Sequence, residues 1–349
     1  MNDTFQAGDP SPLAFADRHP AWCAGYGRAG EWLALGASMA GPGHVRRYRG
    51  RDDAFALMAA GGYLVAAVAD GVGGELYSRI GAAHCANAVC REILRQVCVP
   101  HVRRYGVDDY DMTTLPGELA KRGVSRATPA LGPERGIGNV PADWNSSGTF
   151  RWNWEPYRRS YPTDLYEDDD PPPAAPRLIV ATENAFGAAR ASLATFCAGL
   201  RMKMKSCTTT LLVVAMDVRS GEAVLAQLGD GAILEMDTMG IAIRASPRTP
   251  EDNPYTMALE NWREGLVLAE AVARPGGGWV ILTDGGFDFF PEAGLSFRPV
   301  LAEPGDPARK SLELLRWLEG LSKQDCEDDR TAVVVTDSGR LDSEVVPAD

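Results

Sequence analysis

Acidic residues stand where apolar runs stop or start. Val68-Ala69-Asp70-Gly71 ends a run over Tyr63–Ala69, and two further glycines follow at 73 and 74. Thr283-Asp284-Gly285 ends a run over residues 279–283. Asp328-Asp329-Arg330 precedes a run over 331–335, and Asp52-Asp53 precedes one over 54–58. Runs of this length and composition predict buried strands. If such strands lie side by side, their ends can bring the carboxylates together. Like charges so gathered repel and need a cation to neutralise them. Donor sets of oxygen alone, with no cysteine or histidine, favour Mg or Mn over Zn. Two such ions about 3.5–4 Å apart can activate a water and steady the oxygens of a phosphate under attack. Asp-Gly is also an ordinary turn signal, and polar residues at strand ends are commonplace, so spacing alone leaves both readings open.

The elements that must position these acids follow in order. Residues 1–30 are rich in Pro, Gly, Ala and Asp without a sustained period and read as a loosely ordered lead-in. A first strand is expected over 31–38, broken by Gly41-Pro42-Gly43. Residues 44–51 form a basic turn leading to Asp52. Residues 78–97 predict a helix with Ile80, Ala83, Val89, Ile93, Leu94 and Val97 on its apolar face. From about 100 to 176 apolar periodicity fades, aromatic residues cluster late, and an acidic-proline run closes the stretch. This reads as a long insertion, either a lid or docking surface or an ordered flap without activity. A helix is expected over 177–201. Residues 208–216, 223–228 and 232–236 read as a strand–turn–strand–turn–strand meander, with Gly229-Asp230-Gly231 as its second turn and Asp230 a structural residue there. An amphipathic helix is expected over 307–322, and the polar tail from 337 to 349 reads as frayed.

Composition narrows the function classes. A formal net charge of -12 over 349 residues argues against nucleic acid or an anionic membrane as the default partner. Seven cysteines, an odd number without any Cys-x-x-Cys pair, fit reduced buried thiols better than a disulfide framework. The four histidines show no zinc spacing. No run reaches transmembrane length and the first residues lack the pattern of a signal peptide, so a cytoplasmic protein is expected.

Taken in order, the motifs resemble those of the type-2C, metal-dependent protein phosphatases, the PPM family, in a divergent bacterial branch. Val68-Ala69-Asp70-Gly71-Val72-Gly73-Gly74 is similar to the family's Asp-Gly-x-Gly-Gly element. Thr208-Thr209-Thr210-Leu211 and Leu228-Gly229-Asp230-Gly231 resemble its Thr-Thr-Leu and Gly-Asp-Ser/Gly strands. Leu282-Thr283-Asp284-Gly285 and Asp328-Asp329-Arg330-Thr331 resemble its Ser/Thr-Asp-Gly and Asp-Asn/Asp-x-Thr motifs. Each is weak singly; five in order over residues 31–336, the insertion aside, make a specific signal.

The resemblance implies an α+β fold: a central sandwich of two antiparallel β-sheets flanked by α-helices, with metals at one end of the strands. It implies hydrolysis of phosphoserine or phosphothreonine in proteins, through two Mn or Mg ions and in-line attack by a bridging water or hydroxide. A Ser/Thr kinase or its targets would be the partners. Asp70 would bridge both metals, the Gly71 carbonyl would reach the second, and Asp284 and Asp328 would hold the first. Asp52 would reach the second metal, and Asp53 beside it would support the water network. Asp329 falls in a supporting position. The family's phosphate-binding Arg stands four residues before the first acid, where this chain has Tyr48. Arg47, Arg49 and Arg51 are the substitutes at hand, with Arg49 the candidate adopted. Val72 stands where many relatives keep His, and His44 is a candidate helper. Lys203-Met204-Lys205-Ser206 lacks the Asp expected there for a third metal. A pseudophosphatase, the same scaffold used for binding, is the alternative, and an unrelated Mg-dependent enzyme a third reading.

Overall fold

The computed structural model describes residues 21–47, 50–75, 77–98, 177–236, 240–244, 255–274, 276–287, 295–302, 306–321 and 327–337. The strands are β1 (Trp22–Ala29), β2 (Trp32–Met39), β3 (Ala54–Ala60), β4 (Tyr63–Ala69), β5 (Leu211–Asp217), β6 (Glu222–Leu228), β7 (Ala232–Met236), β8 (Ile241–Arg244), β9 (Val267–Val272), β10 (Gly278–Leu282), β11 (Leu295–Ser296) and β12 (Arg330–Asp337). The helices are α1 (Pro42–Arg46), α2 (Ser78–Cys98), α3 (Leu178–Gly199), α4 (Asp284–Phe287), α5 (Arg298–Ala302) and α6 (Pro307–Leu321). Among the described residues, one sheet has seven strands in the order β1-β2-β12-β10-β7-β8-β11, and the other five in the order β3-β4-β5-β6-β9. All their pairings are antiparallel.

The near-continuous apolar runs arise because the central strands are covered on both faces. Side chains alternate along a strand, so each run feeds two cores. Phe55, Leu57, Leu64, Ala66, Val68, Leu212 and Val214 meet Ala34, Ile233, Ile281 and Val333 between the sheets. The alternate residues Val65, Ala67 and Val213 face Ile93 of α2 and Phe186 and Leu193 of α3. On the outer side of the seven-stranded sheet, Leu35, Val280 and Val334 pack with Leu314 and Leu318 of α6. The result is a helix–sheet–sheet–helix sandwich, as the resemblance implies. Among the described residues no helix is long and apolar enough to cross a membrane.

Register carries the acidic strand ends to one place. Ala54 pairs with Ala69, so Asp53 and Asp70 flank one end of the β3–β4 pair. Leu211 pairs with Leu228, setting Thr210 beside Gly229. In the other sheet Leu282 pairs with both Ala332 and Ala232, which sets Thr283, Thr331 and Gly231 at one end.

Three expectations change. The lead-in over 1–30 contains β1, which pairs with β2 over its whole length. The meander is broken: β6 pairs with β5 and β9, whereas β7 pairs with β10 and β8. Gly229-Asp230-Gly231 is therefore a crossing between sheets rather than a hairpin turn. The strand expected from 208 begins at Leu211, after a 3-10 turn over Met204–Cys207. Residues 241–270, whose mixed sequence predicts no clear element, supply β8 and most of β9. The insertion over 100–176, the tail beyond 337 and Arg49 lie outside the described residues.

Candidate metal centre

Asp70 closes β4, and its backbone is fixed from the neighbouring strand. Thr210 N–H donates to the Asp70 carbonyl at 2.9 Å, and the Thr209 hydroxyl donates to the same oxygen at 2.6 Å. In return Asp70 N–H donates to Thr210 Oγ1 at 3.0 Å. This is the structural work of the Thr-Thr pair. Gly71 follows in a close approach: a Cβ there would stand 2.6 Å from the Asp52 carbonyl oxygen and 2.8 Å from the Ser78 carbonyl carbon. The start of α2 thus rests directly on the turn after Asp70.

Asp230 arrives from the crossing between sheets. Gly229 has φ +110, which suits glycine alone. The Gln227 amide spans the bend, donating to the carbonyls of Gly229 at 3.0 Å and Gly231 at 2.8 Å. Asp284 opens α4 one residue after β10, and its Oδ1 accepts Gly285 N–H at 2.6 Å. Each of Asp70, Asp230 and Asp284 offers a carboxylate oxygen, and these three oxygens lie within 4.8 Å of one another. Oxygen ligands sit about 2.0–2.6 Å from Mg or Ca, so donors across an ion stand about 4–5 Å apart. The spacing and the all-oxygen chemistry fit a hard divalent cation.

Asp53 is buried beside this group and is held by hydroxyls. Its Oδ2 accepts from Thr283 Oγ1 at 2.9 Å and from Thr331 Oγ1 at 2.8 Å. Thr283 Oγ1 in turn accepts Thr331 N–H at 3.0 Å, and the Ser38 hydroxyl lies 2.5 Å from Thr331 Oγ1. Burial pushes the Asp53 carboxyl well above its usual range; repulsion from Asp329 adds to this, while the bonds with Asp70 and Thr331 oppose it. Asp70 is likewise raised well above the usual range, first by burial and then by the charges of Asp53 and Asp284, with Asp328 contributing less. A crowd of carboxylates in this state is what a bound cation would relieve. Replacing Thr331 by valine removes one donor to Asp53, and we expect a loss of about 1.5 kcal/mol in urea unfolding. An unchanged midpoint would mean that this hydrogen bond is without weight.

Asp52 has partners different from those of Asp53. Its Oδ2 lies 3.9 Å from His44 Nε2, and its Oδ1 lies 3.7 Å from Arg79 Nη1. Asp329 binds the backbone around it, accepting from Gly41 N–H at 2.7 Å and from Asp52 N–H, and its Oδ1 stands 2.9 Å from His44 Nδ1. Asp328 caps its neighbour, its Oδ1 accepting Asp329 N–H at 2.8 Å. Of the acids expected at the metals, the structure thus brings Asp70 and Asp284 into the close group, sets Asp328 close enough for its charge to act on Asp70, and places Asp52 against His44 and Arg79. Asp230 joins without having been read as a site residue; its signal was the Gly-Asp-Gly motif itself. Arg51, one of the three arginines considered, is wholly buried, with Nη1 toward Cys23 Sγ and the Ser38 carbonyl.

A family model described as protein phosphatase 2C matches residues 40–115 and 163–319. No curated protein matches the chain in sequence. Among solved structures, PppA, a key regulatory component of T6SS in Pseudomonas aeruginosa, aligns at 15% identity and TM-score 0.46, covering 88% of this chain and 98% of that one. The catalytic domain of the serine threonine protein phosphatase PstP in complex with two manganese ions aligns at 14% identity and TM-score 0.47, covering 87% and 97%. RsbX in complex with magnesium aligns at 11% identity and TM-score 0.42, covering 90% and 99%.

Proposed function

The chain belongs to the protein phosphatase 2C family, and from that premise we propose that it is a metal-dependent phosphatase acting on phosphoserine or phosphothreonine in cytoplasmic proteins. The observation that carries the reading is the meeting of Asp70, Asp230 and Asp284, drawn from both sheets, with oxygens within 4.8 Å. These residues would hold Mn or Mg, with Asp328 and the Gly71 carbonyl contributing nearby. Bound there, such ions supply Lewis acidity, acidifying water for attack and offsetting charge on the phosphoryl oxygens. The protein does the rest. Asp53, steadied by Thr283 and Thr331, holds or releases a proton next to Asp70. Thr209 and Thr210 fix the Asp70 backbone so that its carboxylate keeps one aim. Asp329 ties the start of β12 to Gly41 and Asp52, closing the floor of the site.

A second reading, a binding protein on the same scaffold, draws on Val72, Tyr48 and the engagement of Asp52 by His44 and Arg79. Turnover separates the two. The full chain is expected to hydrolyse p-nitrophenyl phosphate and a phosphothreonine peptide with Mn or Mg present, and to stop on addition of EDTA. Calorimetry that detects metal binding while no phosphopeptide is turned over would replace the enzyme reading with the binding one.

A further inference from the structure

α3 ends in a turn that glycine usually makes. Met202 N–H donates to the Cys197 carbonyl at 2.8 Å and Arg201 N–H to the Ala198 carbonyl at 3.0 Å, the two bonds of a Schellman motif. The first residue past the cap must be left-handed there, which favours glycine. This chain has Arg201 in that place, with φ +56, and among the described residues no other non-glycine residue has a positive φ. The chain then alternates. Arg201, Lys203 and Lys205 are exposed, whereas Met202 and Met204 are half-buried against the helical core and Cys207 is buried in it. Three cations thus stand on the surface within five residues of a chain whose net charge is -12. The helix dipole favours a cation in or next to the last turn, which covers Arg201 but not the two lysines beyond it. Among the described residues Lys205 meets one acid, Glu75, at 3.9 Å, and neither Arg201 nor Lys203 makes an ion pair.

This turn borders the metal centre. The Ser206 carbonyl accepts Tyr77 N–H at 2.9 Å and the Thr208 carbonyl accepts Val72 N–H at 3.3 Å, so it lies along the segment that follows Asp70. Thr209, whose hydroxyl holds the Asp70 carbonyl, is four residues from Lys205. Four residues of chain reach at most about 14 Å, a span that an extended peptide also covers in about four residues. We propose that the turn over residues 201–205 docks an acidic stretch of the phosphoprotein substrate, lying a few residues from the phosphorylated serine or threonine. The proposal rests on the phosphatase reading and names a substrate class within it. Charge selects the partner: a basic turn attracts an anionic segment, and the acidic remainder of the protein holds that segment off other surfaces. Exposed cations of this kind each contribute modestly and are screened by salt. Their effect therefore falls on capture of the substrate and not on the chemical step.

Two phosphothreonine peptides of equal length, one with acidic and one with neutral flanks, are the probes for the Mn-loaded full chain. Wild type is expected to show a KM about tenfold lower for the acidic peptide at about 50 mM salt, with similar kcat, and the gap should close at about 0.5 M salt. The triple variant Arg201→Gly, Lys203→Gln, Lys205→Gln should lose most of that gap while hydrolysing p-nitrophenyl phosphate within about twofold of wild type. Arg201→Gly alone gives a readout that a merely structural role would not: it should melt no lower than wild type, because glycine suits φ +56, yet raise KM for the acidic peptide. Equal KM values for the two peptides in wild type would overturn the proposal, as would a gap that the folded triple variant keeps. Should the triple variant not fold, Lys203→Gln with Lys205→Gln is compared on the same peptides. If no phosphopeptide is hydrolysed, the phosphatase reading falls. Fluorescence anisotropy of the labelled acidic peptide then decides the turn separately: weaker binding to the triple variant supports docking there, and equal binding overturns it.

Discussion

Asp284→Ala is expected to lower kcat/KM for p-nitrophenyl phosphate by about 10³-fold or more, a loss of about 4 kcal/mol in transition-state stabilisation. Asp284 shares its donor group with Asp70 and Asp230, and it stands at the first turn of α4, directly after Thr283, which is bonded to Asp53. Alanine removes a negative oxygen ligand without touching either sheet. Loss of partners that only orient a ligand typically costs 10–100-fold in metal affinity or activity, so loss of the ligand itself belongs above that range. Two readouts check the expectation. Mn affinity from calorimetry should fall together with turnover, and circular dichroism should show the fold retained. The sharper control is Asp70→Asn combined with Asp284→Asn, which keeps side-chain shape and removes two charges. Full activity in that folded double variant would sink the metal mechanism altogether.

Asp70 and Asp284 were legible because their strands are. An apolar run feeding two cores leaves an unbroken signal, and a single acid at its end stands out against it. Asp230 was hidden by the same local logic. Gly-Asp-Gly between two short apolar runs satisfies every rule for a hairpin, and nothing within those residues tells that Leu228 and Ala232 pair in different sheets. That distinction lies in which distant strand competes for each edge, here β10 for β7 and β9 for β6. The pair Asp52-Asp53 shows a second limit. Neighbours in sequence, the two carboxylates take different partners, Asp53 the hydroxyls of Thr283 and Thr331 and Asp52 the side chains of His44 and Arg79, and only the tertiary fold supplies those partners. β1 escaped notice for a simpler reason: Gly25 and Gly27 interrupt its apolar pattern, and its place at the sheet edge asks less of it.

Metal removal should reverse the pH response of stability, and the raised carboxyls give the sign. Asp53 and Asp70 both sit well above 3.8 in the folded state, burial being the first cause. The folded metal-free protein therefore keeps protons that the unfolded chain has already released. Their contribution to stability is full below the unfolded value and is lost as pH rises through the folded one. In EDTA the protein is thus expected to melt lower at about pH 7.5 than at about pH 5. Asp217 works in the opposite sense, held low by hydrogen bonding to Arg219, but its window lies below 3.8 and does not overlap. A cation takes the place of the protons. At about 1,000 times its dissociation constant, Mn should add about 4 kcal/mol, which for a domain of this size raises Tm by about 10 °C, with most effect at the higher pH. Asp70→Asn separates the parts of this argument. With one buried charge gone, the metal-free variant should melt above wild type near neutral pH, lose much of its slope with pH, and respond little to Mn. Differential scanning calorimetry in EDTA and in Mn reads all three. A metal-free wild type whose stability climbs steadily from about pH 5 to about pH 8 would show that the carboxylates at these strand ends are already neutralised by the protein itself.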